Sequence, residues 1–244
     1  MNNKITVLLM AAVITTVIAD LVANAQLADA GEKSNKRNIG FTEEFFIEDC
    51  TFSDTGSNTF LILEPNYQLV LAGEEKDGTE VELIITVLDE TEVVDGVETR
   101  VVEERESVDG ELVEVSRNFF AICEETSSVF YFGEEVDVFE DGQVTHPGEW
   151  LAGDGDNKAG IIMPGTVMLG AKYFQEIAPE VAMDRAEIVS MDEEVETPAG
   201  DFDGVVKMRE TTPLEPGAQE FKYHAEGIGL IQDENLKLEE YGFI

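Results

Sequence analysis

The sequence predicts a mainly β protein, an antiparallel meander that forms a curved sheet, a half-barrel or a sandwich with one short helix. Turn signals, most of them Asp-Gly, recur along the chain, and runs of β-branched and aromatic residues alternating with charged residues stand between them. Asp-Gly favours two-residue hairpins because both central residues of a type I′ turn need a positive φ. Alternation with period two is the pattern of a half-buried strand.

Six dipeptides carry the turn signals: Asp77-Gly78, Asp95-Gly96, Asp109-Gly110, Asp141-Gly142, Asp203-Gly204 and Pro216-Gly217. Between the first two, one face of a strand collects the apolar residues Val81, Leu83, Ile85 and Val87. Near the end of the chain, residues 219–226 alternate between an apolar-leaning face and a polar face. The polar face contains Glu220, Lys222, His224 and Glu226, and we expect it to meet solvent.

One stretch, Gly165 to Ile177, departs from the strand pattern. Its apolar residues recur at helical spacing, and Pro164 and Pro179 bracket it. This spacing predicts a short helix lying against an open end of the sheet.

The first residues have the pattern of a secretory signal peptide. One positive charge at Lys4 precedes an apolar run from Ile5 to Ala19, which is too short to span a bilayer comfortably. Small residues at Ala23 and Ala25 form a cleavage site, with a second candidate at Ala30. We therefore predict a signal peptide at 1–25, a flexible stub at 26–40 and a single β-rich domain at 41–244. Export to the periplasm or the exterior without a stable membrane anchor follows, and an uncleaved anchor is the alternative.

The charge excludes two classes of partner. The chain has 15 Lys and Arg against 53 Asp and Glu, a formal net charge of -38, and the acids are spread along the predicted strands. A surface this negative repels phosphate backbones and anionic lipid headgroups, so nucleic-acid binding and membrane docking are disfavoured.

The chain has two cysteines, Cys50 and Cys123. In an exported protein an even pair most simply forms one disulfide, and two buried thiols are the alternative. Their spacing is not that of a redox or zinc motif.

Catalytic signals are sparse, and we assign no catalytic residue and no cofactor. The two histidines are His146, in a Pro-Gly turn, and His224, on the predicted polar face. Neither belongs to a metal-binding spacing, so exposed and unrelated histidines are the favoured interpretation. The chain also has no Gly-x-Ser-x-Gly elbow.

The most site-like segment is the glycine-rich loop 153–160. Asp154, Asp156 and Asn157 are oxygen ligands of the kind that Ca²⁺ accepts, although Lys158 and Ala159 depart from an EF-hand loop. The loop is a candidate Ca²⁺ site, and a plain flexible acidic loop is the alternative.

Six aromatic residues stand in the central strands, and they either line a ligand cavity or pack as ordinary core. They are Phe119, Phe120, Phe130, Tyr131, Phe132 and Phe139.

The second half of the chain carries a resemblance. The segments are Thr197-Pro198-Ala199-Gly200-Asp201-Phe202 and the later Tyr223-His224-Ala225-Glu226-Gly227-Ile228-Gly229-Leu230-Ile231. Together they resemble uncharacterised secreted and periplasmic bacterial proteins with a Thr-Pro-Ala-Gly-x-Phe turn and a Tyr-Tyr-Ala-x-Gly-Val-Gly-Leu-Val strand. The resemblance implies a curved antiparallel sheet, similar in style to periplasmic half-barrels that hold lipid or lipoprotein chains. It implies no established activity, and His224 replaces the aromatic residue expected there.

Two functions from different classes fit these features. The first is an exported, non-catalytic binding or scaffold protein whose β concavity holds an apolar ligand or a partner chain. The second is an acidic surface or matrix protein that Ca²⁺ or salt stabilises or bridges. A hydrolase is a distant third.

Overall fold

A computed structural model describes residues 40–140 and 142–244. The predicted signal peptide, nearly all of the stub and Asp141 of one predicted turn lie outside the described residues. The described residues form eighteen strands and one short 3-10 helix at Ile47–Asp49, which confirms the mainly β prediction.

The strands follow one another along the chain with mostly short connections, and their bounds are β1 (Phe52–Ser53), β2 (Gly56–Asn58), β3 (Leu61–Leu63), β4 (Tyr67–Glu74), β5 (Glu80–Val94), β6 (Val97–Val108), β7 (Glu111–Cys123), β8 (Ser128–Glu140), β9 (Gln143–Thr145), β10 (Trp150–Leu151), β11 (Lys158–Met163), β12 (Lys172–Phe174), β13 (Glu176–Ile177), β14 (Arg185–Thr197), β15 (Gly200–Thr211), β16 (Glu220–Ala225), β17 (Gly229–Asp233) and β18 (Leu236–Phe243).

A single antiparallel sheet curls until it is nearly closed, like a barrel. Its strand order is β12-β14-β15-β16-β17-β18-β4-β5-β6-β7-β8-β11-β13. The two ends of this path, β12 and β13, are consecutive in the chain and are separated only by Gln175. Tyr173 in β12 pairs with Ala186 of β14, and Glu176 in β13 pairs with Ala159 of β11. One short segment therefore bridges both edges of the sheet.

The helix predicted over Gly165 to Ile177 is wrong. The second half of that stretch forms β12 and β13, and the first half is irregular. The two sheet edges offer it backbone partners that a helix would leave unpaired, and this tertiary pairing overrides a weak local preference. In the irregular half, a Cβ on Gly165 would lie 2.0 Å from the Thr126 carbonyl oxygen, so the chain packs closely there.

Two of the predicted hairpin turns form as expected. Asp95 and Gly96 have φ values of 49° and 78°, and Asp109 and Gly110 have 51° and 80°, the signs that a type I′ turn requires. The turn predicted at Asp203-Gly204 is wrong, because both residues lie inside β15.

A bulge accounts for Asp203-Gly204. Val205 pairs with Glu193 and Phe202 pairs with Val195, so two residues of β15 stand opposite one residue of β14. Gly204 takes φ 65° there, which only glycine adopts freely, and the bulge bends a long hairpin without ending it.

The two segments of the resemblance are both hairpin connections. Thr197 pairs with Gly200 at the end of the β14–β15 hairpin, where its hydroxyl donates to the Gly200 carbonyl oxygen at 3.1 Å. Glu226, Gly227 and Ile228 connect β16 to β17, so they form a turn between two strands.

The N-terminal segment 41–55 packs against β7 and β8. Phe52 packs edge-on against Phe130 and Phe132, with ring centroids 5.5 and 5.2 Å apart. The predicted disulfide is confirmed: Cys50 is bonded to Cys123, next to the pairing of Phe52 with Cys123. A disulfide is consistent with an oxidising location outside the cytoplasm. In the described part of the chain, no helix is long and apolar enough to cross a membrane.

Candidate functional site: an interior cavity with a polar side

The interior face of the sheet changes from apolar to acidic along the strands. Cross-strand pairing of β5, β6 and β7 places interior residues in successive rows: Val87, Val102 and Asn118, then Ile85, Glu104 and Ser116, then Leu83, Glu106 and Glu114. The predicted apolar face of β5 is thus confirmed as interior, and Val81, Leu83 and Val87 are buried. The acids at 104, 106 and 114 share that interior.

An interior cavity of about 110 Å³ lies in this space. Its apolar wall includes Leu69, Ile85 and Val102 from the sheet, together with Phe60, Leu61 and Ile62. The last three belong to the β2–β3 hairpin, Gly56–Leu63, which we call the cap hairpin. An apolar wall of this kind is the usual lining of a small-molecule site.

The cap hairpin is fastened to the sheet by hydrogen bonds. The Asn58 side-chain amide donates to the carbonyl oxygens of Ser127 and Met163 at 3.2 and 3.3 Å. The Gly227 N–H donates to the Thr59 carbonyl oxygen at 2.8 Å. These bonds join the cap hairpin to the residue before β8 and to β11 in one part of the sheet, and to the β16–β17 turn in another.

Polar residues also line the cavity, and we call Glu104, Asn118, Gln175, Glu210, Lys222 and His224 the polar side. This corrects the prediction that Lys222 and His224 face solvent. Met208 pairs with Lys222, and Val206 pairs with His224. Residues directly opposite in an antiparallel pair share a face, so both side chains point inward with the buried Met208 and Val206.

An ion pair lies at the centre of the polar side. The Lys222 ammonium donates to a Glu210 carboxylate oxygen at 2.9 Å, and an Asp233 oxygen lies 3.9 Å away. Burial opposes the charge on each partner. Lys222 nevertheless lowers the pKa of Glu210, and the neighbouring carboxylates, Glu210 first, raise the pKa of Lys222. Both partners are therefore charged at neutral pH.

Burial also shifts the pKa values of the other titratable polar groups. Burial lowers the pKa of His224 to about 4, with Glu210 acting weakly in the opposite direction. Burial raises the pKa of Asp233 to about 8 and also raises that of Glu104. Beside the Lys222–Glu210 pair, Asn118, Gln175 and the neutral His224 thus present uncharged hydrogen-bonding groups.

Two atoms of the polar side are buried and have no hydrogen-bond partner in the described residues. The Gln175 side-chain N–H donates to Glu210 at 2.7 Å, which fixes its carbonyl oxygen Oε1 as the atom without a partner. The other atom is Nδ1 of His224. Tyr131 also borders the cavity, but its hydroxyl has a partner, because it donates to the side-chain oxygen Oδ1 of Asn118 at 2.6 Å.

The predicted Ca²⁺ ligands Asp154, Asp156 and Asn157 lie in the loop between β10 and β11. Asp154 and Asp156 are exposed, and the Asn157 amide donates to the Leu151 carbonyl oxygen at 3.2 Å. The prediction that this loop binds Ca²⁺ therefore stays open. Among the described residues, the one group of three His, Cys, Asp or Glu ligand atoms within 4.8 Å of one another is Cys50, Cys123 and Glu125. Its two sulfurs form the disulfide.

The two histidines occupy different environments. His146 is exposed, as predicted, and its Nδ1 lies 3.0 Å from an Asp137 carboxylate oxygen. His224 borders the cavity.

The six aromatic residues named above lie in different environments. Phe120 and Tyr131 border the cavity, and Phe119 is buried in the core. Phe130 and Phe132 pack against Phe52 of the N-terminal segment, and Phe139 is partly exposed.

Comparison with protein-family models, with curated proteins and with solved structures found no match. The resemblance to secreted and periplasmic proteins therefore stays a prediction.

Sequence reasoning missed most of the polar side. Lys222 and His224 alternate with Phe221 and Tyr223, and such a pattern shows that a strand has two faces without showing which one is inside. Gln175 lies in the stretch that was wrongly predicted to be a helix, so its position beside the cavity was not predicted. Val102, Glu104 and Glu106 are spaced two residues apart on β6, so they share one face of the strand. This pattern could have indicated that acids lie on the same face as a core residue.

Proposed function

We propose that this protein is a non-catalytic binding protein that holds a small, mainly apolar molecule inside its barrel-like sheet. The observation that carries the proposal is the cavity of about 110 Å³ lined by an apolar wall and a polar side. Well-packed interiors leave few voids larger than a water molecule, so a space of this size is a feature in its own right.

The size of the cavity indicates how large a group it encloses. An enclosed apolar cavity of roughly 150 Å³ accepts benzene, so a group of about six heavy atoms suits this one. The wall favours an apolar body, since burying apolar surface provides most of the driving force for binding.

Export and a non-catalytic role are parts of the proposal that rest on the sequence. The alternative function is an acidic surface or matrix protein that Ca²⁺ or salt stabilises. The disulfide supports an oxidising location. The apolar lining of the cavity supports binding of a ligand over surface bridging by cations.

Binding of small apolar probes tests the proposal. Benzene, or xenon under pressure, is expected to bind the full chain and to shift the NMR signals of residues beside the cavity, such as Leu69 and Ile85. Val102→Phe places a larger side chain in the cavity and is expected to abolish the shifts. The control is Val93→Phe, which changes an exposed residue of β5 and should leave binding unchanged. No shift of cavity signals in the wild-type protein with either probe would show that the proposal is wrong.

A further inference from the structure

We propose that the ligand has a head group that donates hydrogen bonds and has no negative charge, an alcohol or an amine, and that the polar side receives it through Gln175 and Glu104. This inference rests on the proposed function and specifies the ligand class.

The first observation is the Gln175 carbonyl oxygen. Gln175 is 4% exposed and borders the cavity, and its amide N–H is already used by Glu210. Its Oε1 is buried with no partner among the described residues. An unsatisfied buried acceptor is costly, and a ligand O–H or N–H would supply the missing donor.

The second observation is the surplus of acceptors around it. Glu104 and Glu210 both border the cavity, and the neutral imidazole of His224 has one ring nitrogen that accepts and one N–H that donates. Other donors are engaged, because the Asn118 side-chain amide donates to the Val102 carbonyl oxygen at 3.4 Å and the Tyr131 hydroxyl donates to Asn118 Oδ1. A head group that donates therefore meets more acceptors here than a head group that only accepts meets donors.

The third observation concerns the positive charge. Among the described residues that border the cavity, Lys222 is the one lysine or arginine. Its ammonium lies 2.9 Å from Glu210 and is already neutralised by that carboxylate. A carboxylate ligand would meet Glu210 without an available cation, and like charges in a water-poor interior repel strongly. A fatty acid is therefore the wrong ligand.

Four probes of equal chain length test the head group: hexan-1-ol, hexylamine, hexanoate and hexane. Binding to the full chain is followed by NMR titration at pH 7.5, where hexanoate is ionised. We expect the alcohol or the amine to bind at least roughly tenfold more tightly than hexanoate, the value of one or two buried hydrogen bonds. Equal or tighter binding of hexanoate would overturn the inference. If hexane binds in that case, the proposed function survives without it, and if no probe binds, the proposed function itself fails.

Two variants locate the head group. Gln175→Met and Glu104→Met each remove an acceptor and are expected to weaken the alcohol or amine roughly fivefold while leaving hexane unchanged. Glu82→Met, at an exposed position of β5, is the matched control. Equal loss for hexane and for the polar probes would mean that the variants only disturb the cavity, which would overturn the assignment of these two residues. The wild-type probe series stays decisive if a variant does not fold.

Discussion

Glu106 on β6 lies directly opposite Glu114 on β7, and each residue is only 2% exposed inside the sheet. Two carboxylates in this relationship repel each other, so the folded protein keeps a proton there. Burial raises the pKa of Glu114 to about 8, and the charges of Glu106 and Glu104 add to the effect. The interior acids thus tie the stability of the fold to pH.

Stability is expected to fall as the pH rises above about 5. Folded Glu114 holds its proton up to pH about 8, whereas the unfolded chain releases it near 4.5, so the folded state binds more protons between these values. Glu114→Gln removes this titration. Between pH 5 and pH 9, the variant should therefore lose about 3 kcal/mol less unfolding free energy than wild type loses. Denaturant unfolding at both pH values measures the difference. Glu111→Gln, at the exposed start of β7, should behave as wild type; an equal pH response in Glu114→Gln and wild type would contradict the prediction.

The Lys222–Glu210 pair is expected to be far more important for stability than an exposed lysine. Lys222→Met leaves Glu210 buried without a countercharge and should cost about 3 to 5 kcal/mol in the free energy of unfolding. The double variant Lys222→Met/Glu210→Gln should regain part of that loss. Lys237→Met is the control, because the Lys237 ammonium donates to the Glu196 carbonyl oxygen at 2.8 Å at an exposed position. Similar losses in the two single variants would argue against a buried pair.

Arg100 is expected to anchor the segment that precedes the cap hairpin. Its guanidinium pairs with Asp54 and donates to the carbonyl oxygens of Leu88 and Glu90, both at 3.3 Å. Arg100→Leu leaves these groups without their donor and should cost about 3 kcal/mol in chemical unfolding. Arg117→Leu removes a half-exposed arginine whose ion pairs span 3.6 and 3.8 Å, and should cost less than about 1 kcal/mol. Equal costs would show that Arg100 has no anchoring role.

The disulfide is expected to hold the N-terminal segment against β7 and β8. Cys50 and Cys123 are separated by 73 residues, and closing a loop of that length stabilises the fold by about 4 kcal/mol in the chain-entropy description. The double variant Cys50→Ser/Cys123→Ser should lose stability of this order and become sensitive to proteases within residues 41–55. Reductant should reproduce the loss in wild type and leave the double variant unchanged. Unaltered protease resistance would mean that packing of Phe52 alone holds the segment.

The loop at Asp154 and Asp156 provides a test of the calcium prediction. Millimolar Ca²⁺ is expected to raise the melting temperature beyond the effect of NaCl at equal ionic strength, and a chelator should reverse the rise. Asp154→Asn/Asp156→Asn should abolish the difference, while Asp201→Asn/Asp203→Asn, at exposed positions of equal spacing, should preserve it. A rise that NaCl matches would reduce the calcium effect to screening.

Local chemistry is enough to predict the β class, the turns at Asp95-Gly96 and Asp109-Gly110, and the disulfide. These features follow from the positive φ values of Asp-Gly, from the alternation from Val81 to Val87, and from the single pairing that two cysteines allow. The other features depend on pairing between distant strands. Whether Lys222 and His224 face water or the interior depends on their pairing with Met208 and Val206, a relationship between strands that no single strand contains. The position of Gln175 likewise depends on tertiary contacts. The residues on either side of it form β12 and β13 because each pairs with an edge strand of the sheet that lies far away in the sequence.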